Sequence, residues 1–213
     1  LKENICAVAA DLLGCAADEL EFAGRTVRRL DGTGEVSLFD IATKSMCGNG
    51  TAVEATASHS SPVSPPPFMV GMVEIELDTE TGQVDILDYT AVVDCGTPVN
   101  PSLARVQTEG GIVQGIGMAL FEDVTYEPTG RIMENSLMQY KLPTRLDMGR
   151  LRVEFESSYE PTGPFGAKSI GEIVINTPSP AIAHAIYNAT GVWHRELPIT
   201  PEKVLRGIRH GQA

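Results

Sequence analysis

Two side chains in this sequence stand where their type and surroundings allow chemistry. Glu172 closes Gly166-Ala167-Lys168-Ser169-Ile170-Gly171-Glu172, a glycine-punctuated loop that runs into Ile173, Val174 and Ile175. A lone carboxylate between a tight turn and an apolar run is costly to desolvate, and desolvation raises its pKa. Such a carboxylate is a candidate general base, although a structural ion pair perturbs titration as well. The other is Gln107, which opens Gln107-Thr108-Glu109-Gly110-Gly111-Ile112-Val113-Gln114-Gly115-Ile116-Gly117. Its amide carries both donors and acceptors and can read the edge of a heterocycle. The plainer reading of that segment is a glycine-notched helix packed against a neighbour.

Other chemistries fail on spacing. Gly163-Pro164-Phe165-Gly166-Ala167-Lys168-Ser169 looks like a phosphate loop, but alanine precedes the lysine and the first glycine sits too close. Gly115-Ile116-Gly117 lacks the third glycine of a dinucleotide fingerprint. Cys6, Cys15, Cys47 and Cys95 include no CxxC pair, and His59, His184, His194 and His210 no HxxxH or HExxH spacing. A zinc site or iron–sulfur cluster held wholly by this chain is therefore not expected, and no side chain is assigned as a metal ligand. Cys95 reads as a small buried hydrophobe and His184 as a packed or surface residue. Among 213 residues, 28 acidic against 16 basic give a net charge of −12, which disfavours nucleic acid and membrane surfaces as partners. No apolar run approaches the ~18 residues of a membrane span. The first residues read as an amphipathic helix rather than a signal peptide, and unpaired thiols fit a cytoplasmic protein.

The elements that must position these residues are legible in outline. Ile5, Val8, Ala9, Leu12 and Leu13 form a helical stripe up to Gly14. Leu20–Phe22 and Thr26–Arg29 read as short strands, and Ser37 with Asp40 three residues on opens a short helix to about Met46, stopped by Cys47-Gly48-Asn49-Gly50. The proline-rich stretch from Ser60 to Pro67 is a seam, giving an N-terminal α/β segment over 1–60 and a second domain over 61–213. Val73, Ile75 and Leu77 alternate with Glu74, Glu76 and Asp78, turn at Thr79–Gly82 and return to Val93, a β-hairpin. A long helix spans Leu103 to Phe121, a further strand holds Leu151, Val153 and Phe155, and a small-residue helix covers Ala181 to Ala189. Thr200-Pro201-Glu202 starts a last helix. Strands and helices mix without βαβ alternation, so the expected class is α+β, a mixed sheet with helices packed on one side. A chain that opens in mid-helix without methionine is expected to be a piece of something longer.

Several long strings now carry a family resemblance. They are the Gly166–Glu172 loop, the run Pro178-Ser179-Pro180-Ala181-Ile182-Ala183-His184-Ala185-Ile186-Tyr187-Asn188-Ala189-Thr190-Gly191, and Arg195-Glu196-Leu197-Pro198-Ile199-Thr200-Pro201. Ser64-Pro65-Pro66-Pro67-Phe68, Asp94-Cys95-Gly96 with Asn100-Pro101, and Gln107 to Leu120 fall in the same order. Together they resemble the C-terminal part of the molybdopterin-binding subunit of the xanthine dehydrogenase, or molybdenum hydroxylase, family.

That resemblance implies an enzyme that hydroxylates an electron-poor carbon of a purine, a related N-heterocycle or an aldehyde, with water as the oxygen source. It makes Glu172 the base that takes a proton from a molybdenum-bound hydroxyl. It makes Gln107 a hydrogen-bond partner of the pterin, and places the backbone of Lys168, Ser169, Ile170 and Gly171 against the cofactor. The cofactor would be molybdenum–molybdopterin, its cytosine dinucleotide form included. FAD and 2Fe-2S centres would belong to partner subunits or domains. Relatives have Gly-Glu-Pro-Pro where this chain has Gly171-Glu172-Ile173-Val174, a departure that bears on the loop after the base. Their further molybdenum-site loops lie upstream of the region present here, so the chain reads as a fragment of the subunit and is expected to be inactive alone. A non-catalytic assembly module is the rival from another class.

Overall fold

The helical stripe from Ile5 to Leu13 forms α1 (Lys2–Leu13) in a computed structural model that describes residues 1–48 and 52–211. The chain divides into two units, Leu1–Ser60 and Ser61–Ala213. In the first, β1 (Leu20–Phe22), β2 (Thr26–Arg29) and β3 (Glu35–Ser37) make an antiparallel meander. The Ser37 hydroxyl accepts from the Asp40 amide at 3.1 Å and caps α2 (Leu38–Thr43), which continues as a π-helical turn over Lys44–Gly48. Asn49 and Gly50 of the expected helix stop lie outside the described residues. Ala9, Leu20, Val27 and Ile41 are the buried centre of this unit.

The second unit is built on the expected hairpin, longer than its alternation marks. β4 (Phe68–Leu77) and β5 (Val84–Asp94) pair antiparallel, and β6 (Arg150–Phe155) joins β5 in parallel, so the sheet is mixed. The parallel return is possible because α3 (Pro101–Leu120) and the segment after it cross over between β5 and β6. A bulge opposite Glu74 and Ile75 inserts Leu87 and shifts the inward alternation, from Val84 and Ile86 to Tyr89, Ala91 and Val93. The Asn100 side chain accepts from Leu103 at 3.1 Å, and Pro101 occupies the first position of α3.

Helices α4 (Ile173–Asn176), α5 (Pro178–Thr190) and α6 (Pro201–His210) complete the unit. Tyr89, Ala91, Ile112, Ile116, Ile182 and Val204 lie in one core between the sheet and the helices, each excluded from solvent. The fold is α+β with a mixed sheet. Tyr89 runs beneath Gly71, where a side chain would collide with its hydroxyl, and reaches Thr177 Oγ1 at 2.9 Å. That bond ties the start of α5 to the sheet, and burial pushes the tyrosine pKa up.

The glycines of α3 divide by what they meet. A Cβ on Gly111 would collide with Val174 of α4, and one on Gly115 with Pro178 and the Ile175 carbonyl. Those two are notches for a neighbouring segment, the plainer of the sequence readings. Gly110 has nothing within 4 Å and faces open space.

Candidate functional site

The loop that ends in Glu172 is anchored at its root and open toward its tip. At the C-terminal end of β5, the Thr97 amide donates to the Gly166 carbonyl at 2.8 Å and the Lys168 amide to the Cys95 carbonyl at 2.7 Å. Gly96 and Ala167 form a bridge between the two segments. Gly96 has φ +66°, and a Cβ there would strike the Gly166 carbonyl, so the crossing demands glycine twice over.

Asp94 fastens the same root. It accepts from Lys168 Nζ at 2.5 Å, Ser158 Oγ at 2.5 Å and the Gly96 amide at 3.0 Å. The Lys168 and Ser158 hydrogen bonds, in that order, hold its carboxyl down to about 2. The Lys168 side chain is only 8% exposed, with its ammonium 5.3 Å from the centre of the Phe68 ring. A charge so nearly buried requires its partner.

Beyond Lys168 the anchoring stops. Among the described residues none accepts from the amides of Ser169, Ile170 or Gly171. One contact crosses to this stretch: Gln107 Nε2 donates to the Gly171 carbonyl at 3.3 Å. Gln107, Gln114, Asn176 and Glu172 thus surround an open cleft of about 690 Å³, floored by Gly110 and Gly111 of α3. The cleft is lined by three carboxamide side chains, by Gly171 of the loop and by one carboxylate. A second open cleft of about 590 Å³ shares Val106 and Gly110 with it and carries Glu109 and Arg145. The first cleft is the one that Glu172 and Gly171 of the loop line.

Two expectations need correction. Glu172 was expected in a dry surround, yet it is exposed. The apolar run behind it turns into α4, which sends Val174 into the Gly111 notch and leaves Glu172 at the helix start above it. The residues of this chain do not desolvate it. Lys168 was expected to offer its backbone to a cofactor, but its N–H is committed to Cys95 and its ammonium to Asp94. Of the loop, Ser169, Ile170 and Gly171 keep free amides. Gln107 lines the cleft, with one N–H of its amide bonded to the Gly171 carbonyl.

The sequence reading missed Asp94, Ser158, Gln114 and Asn176. Asp94 stood in a motif already singled out, but its partners lie 64 and 74 residues away and nothing local names them. His184 packs its ring 4.8 Å from Trp193, on which Tyr187 also stacks at 4.3 Å. His194 is buried, and that burial lowers its pKa. No group of three or more His, Cys, Asp or Glu side chains among the described residues is placed to hold a metal ion. No helix among them is long and apolar enough to cross a membrane.

With this geometry in view, residues 1–149 match the family model of the molybdopterin cofactor-binding domain. The chain belongs to that family. It is 38% identical over 210 residues to the "Probable hypoxanthine oxidase XdhD" of Escherichia coli (strain K12), an alignment covering 98% of this chain and 22% of that protein. It is 34% identical over 209 residues to the "Putative xanthine dehydrogenase molybdenum-binding subunit XdhA" of the same strain, covering 96% of this chain and 28% of that one. The crystal structure of quinoline 2-oxidoreductase from Pseudomonas putida 86 superposes with a TM-score of 0.76 at 27% identity, over 98% of this chain and 28% of its own. The chain therefore spans about a quarter of the length of these relatives. Its kinship is with molybdenum-containing oxidoreductases.

Proposed function

We propose that this chain supplies the general base and part of the cofactor cradle of a molybdenum hydroxylase that oxidises a purine or related N-heterocycle with water. The observation that carries the reading is the placement of Glu172. It stands beside three unpartnered amides on the rim of a cleft, and Gln107 fixes the carbonyl of the residue before it. When bound, the molybdenum–pterin group, cytosine dinucleotide form included, supplies the two-electron oxidation and acidifies the incoming water.

The residues fit such a group. Amides at Ser169, Ile170 and Gly171 and the amide side chains of Gln107 and Gln114 suit the polar edge of a pterin, and Gly110 lets a flat ring approach α3. Glu172 accepts the proton given up by the incoming water. The electrons would leave through FAD and 2Fe-2S centres on partner subunits or domains, in a cytoplasmic assembly. The remaining part of the molybdenum-binding subunit would close the cleft. The named activity of XdhD and the heterocycle in the name of quinoline 2-oxidoreductase favour a heterocyclic substrate over an aldehyde.

The test is Glu172→Gln in the complete enzyme. Turnover should fall by about 10²-fold or more, the scale of a lost general base, with molybdenum content intact. Unchanged turnover would leave the second reading, a non-catalytic assembly module.

A further inference from the structure

The carboxylate of Asp94 lies at the far end of the loop from Glu172, yet three groups converge on it from three parts of the chain. Lys168 brings the loop, Ser158 the segment after β6, and Gly96 the turn after β5. Among the described residues, the loop residues between this knot and Glu172 make one other hydrogen bond, from Gln107 to the Gly171 carbonyl. The stretch after Lys168 is thus held at its two ends, at Lys168 by this knot and the bond to the Cys95 carbonyl and at Gly171 by Gln107, and Glu172 is the residue just past the second.

From this geometry we infer that Asp94 is a positioning residue for Glu172, acting through Lys168 to set where the Ser169–Gly171 amides and the carboxylate stand over the cleft. The inference rests on the reading of Glu172 as the base, but its physical part does not. Asp94 must be ionised to hold an ammonium that is almost wholly withdrawn from water, and its depressed pKa keeps it so across the neutral range. If the knot is undone, the Cys95–Lys168 and Thr97–Gly166 backbone bonds still hold the root. The expected consequence is therefore a loosened tip rather than an unfolded chain. Ser158 also fixes Asp94 from behind, so its loss should produce a weaker form of the same effect.

The experiment compares Asp94→Asn, Ser158→Ala and the charge-neutral pair Asp94→Asn with Lys168→Met in the full-length molybdenum-loaded subunit. Amide hydrogen exchange over 169–172 is read beside the pH profile of kcat. Asp94→Asn should speed exchange over 169–172 at least tenfold while leaving that of the core strands unchanged. It should lower kcat at least tenfold with KM little moved, and shift the acid limb of the kcat profile. Ser158→Ala should do the same by a smaller factor. A merely structural role would change exchange everywhere together and leave the acid limb in place, which would overturn the inference. If Asp94→Asn alone does not fold, the double variant decides: fast exchange at 169–172 supports the knot, and wild-type exchange overturns it. Should Glu172→Gln retain turnover while Asp94→Asn still loosens the loop, the base reading fails and the positioning of the loop stands.

Discussion

Lys168 illustrates how a single residue can be found for one reason and matter for another. Its place in the loop before the candidate base drew attention, and its backbone was expected to meet a cofactor. Folding instead commits its N–H to Cys95 and its ammonium to Asp94. A bond between residues 74 apart cannot be read from spacing, because only the pairing of β5 with the returning loop brings them together. The same knot makes stability depend on pH. The Asp94 carboxyl titrates near 2 in the fold against an ordinary 3.8. A group whose folded pKa is depressed contributes stability in full above its unfolded pKa and loses it as pH falls through the folded one. The wild-type advantage over Asp94→Asn in urea midpoint should accordingly be constant near neutrality and shrink between about pH 4 and pH 2. A pH-independent gap would mean that the carboxylate charge contributes nothing to the fold.

At the scale of elements, legibility followed how local the cause was. The alternation of Val73, Ile75 and Leu77 with three acids marked the hairpin, because one face of that strand end is wet. Its first half was hidden: Phe68, Val70 and Met72 are apolar on the exposed face, so no alternation appears there. Asn100 and Pro101 announced the start of α3, since capping is a matter of adjacent residues. What its glycines meet was open between protein and ligand, and contacts to α4 and α5 decided it residue by residue. This yields a paired prediction. Gly111→Ala drives a methyl into Val174, packed at 0% exposure, and should cost about 1–3 kcal/mol, the scale of overpacking. Gly110→Ala meets nothing and replaces a helix glycine, so it should gain up to about 1 kcal/mol. Chemical denaturation of the two variants reads both signs. Equal destabilisation would show that α3 does not lie against α4 as described.

For the whole molecule the decisive quantity is how much of a cofactor site a quarter-length chain can make. The cleft beside Glu172 is open, its carboxylate is exposed, and of the loop Gly171 and Glu172 line it. A group as large and polar as a pterin is held by hydrogen bonds converging from several sides and by exclusion of water, both of which multiply the worth of each contact. One wall gives neither. The net charge of −12 works in the same direction, since an anionic phosphate on the pterin would gain no general attraction from this chain. The chain purified alone should therefore carry no stoichiometric molybdenum or pterin and show no hydroxylase turnover. Co-expressed with the remainder of a full-length subunit, it should acquire both together. Metal analysis and pterin fluorescence on the two preparations give the answer without any substrate being known. Cofactor held by the isolated chain would mean that this wall alone is the binding site. Cofactor in neither preparation would turn the cleft into a docking surface and Glu172 into one of its polar edges.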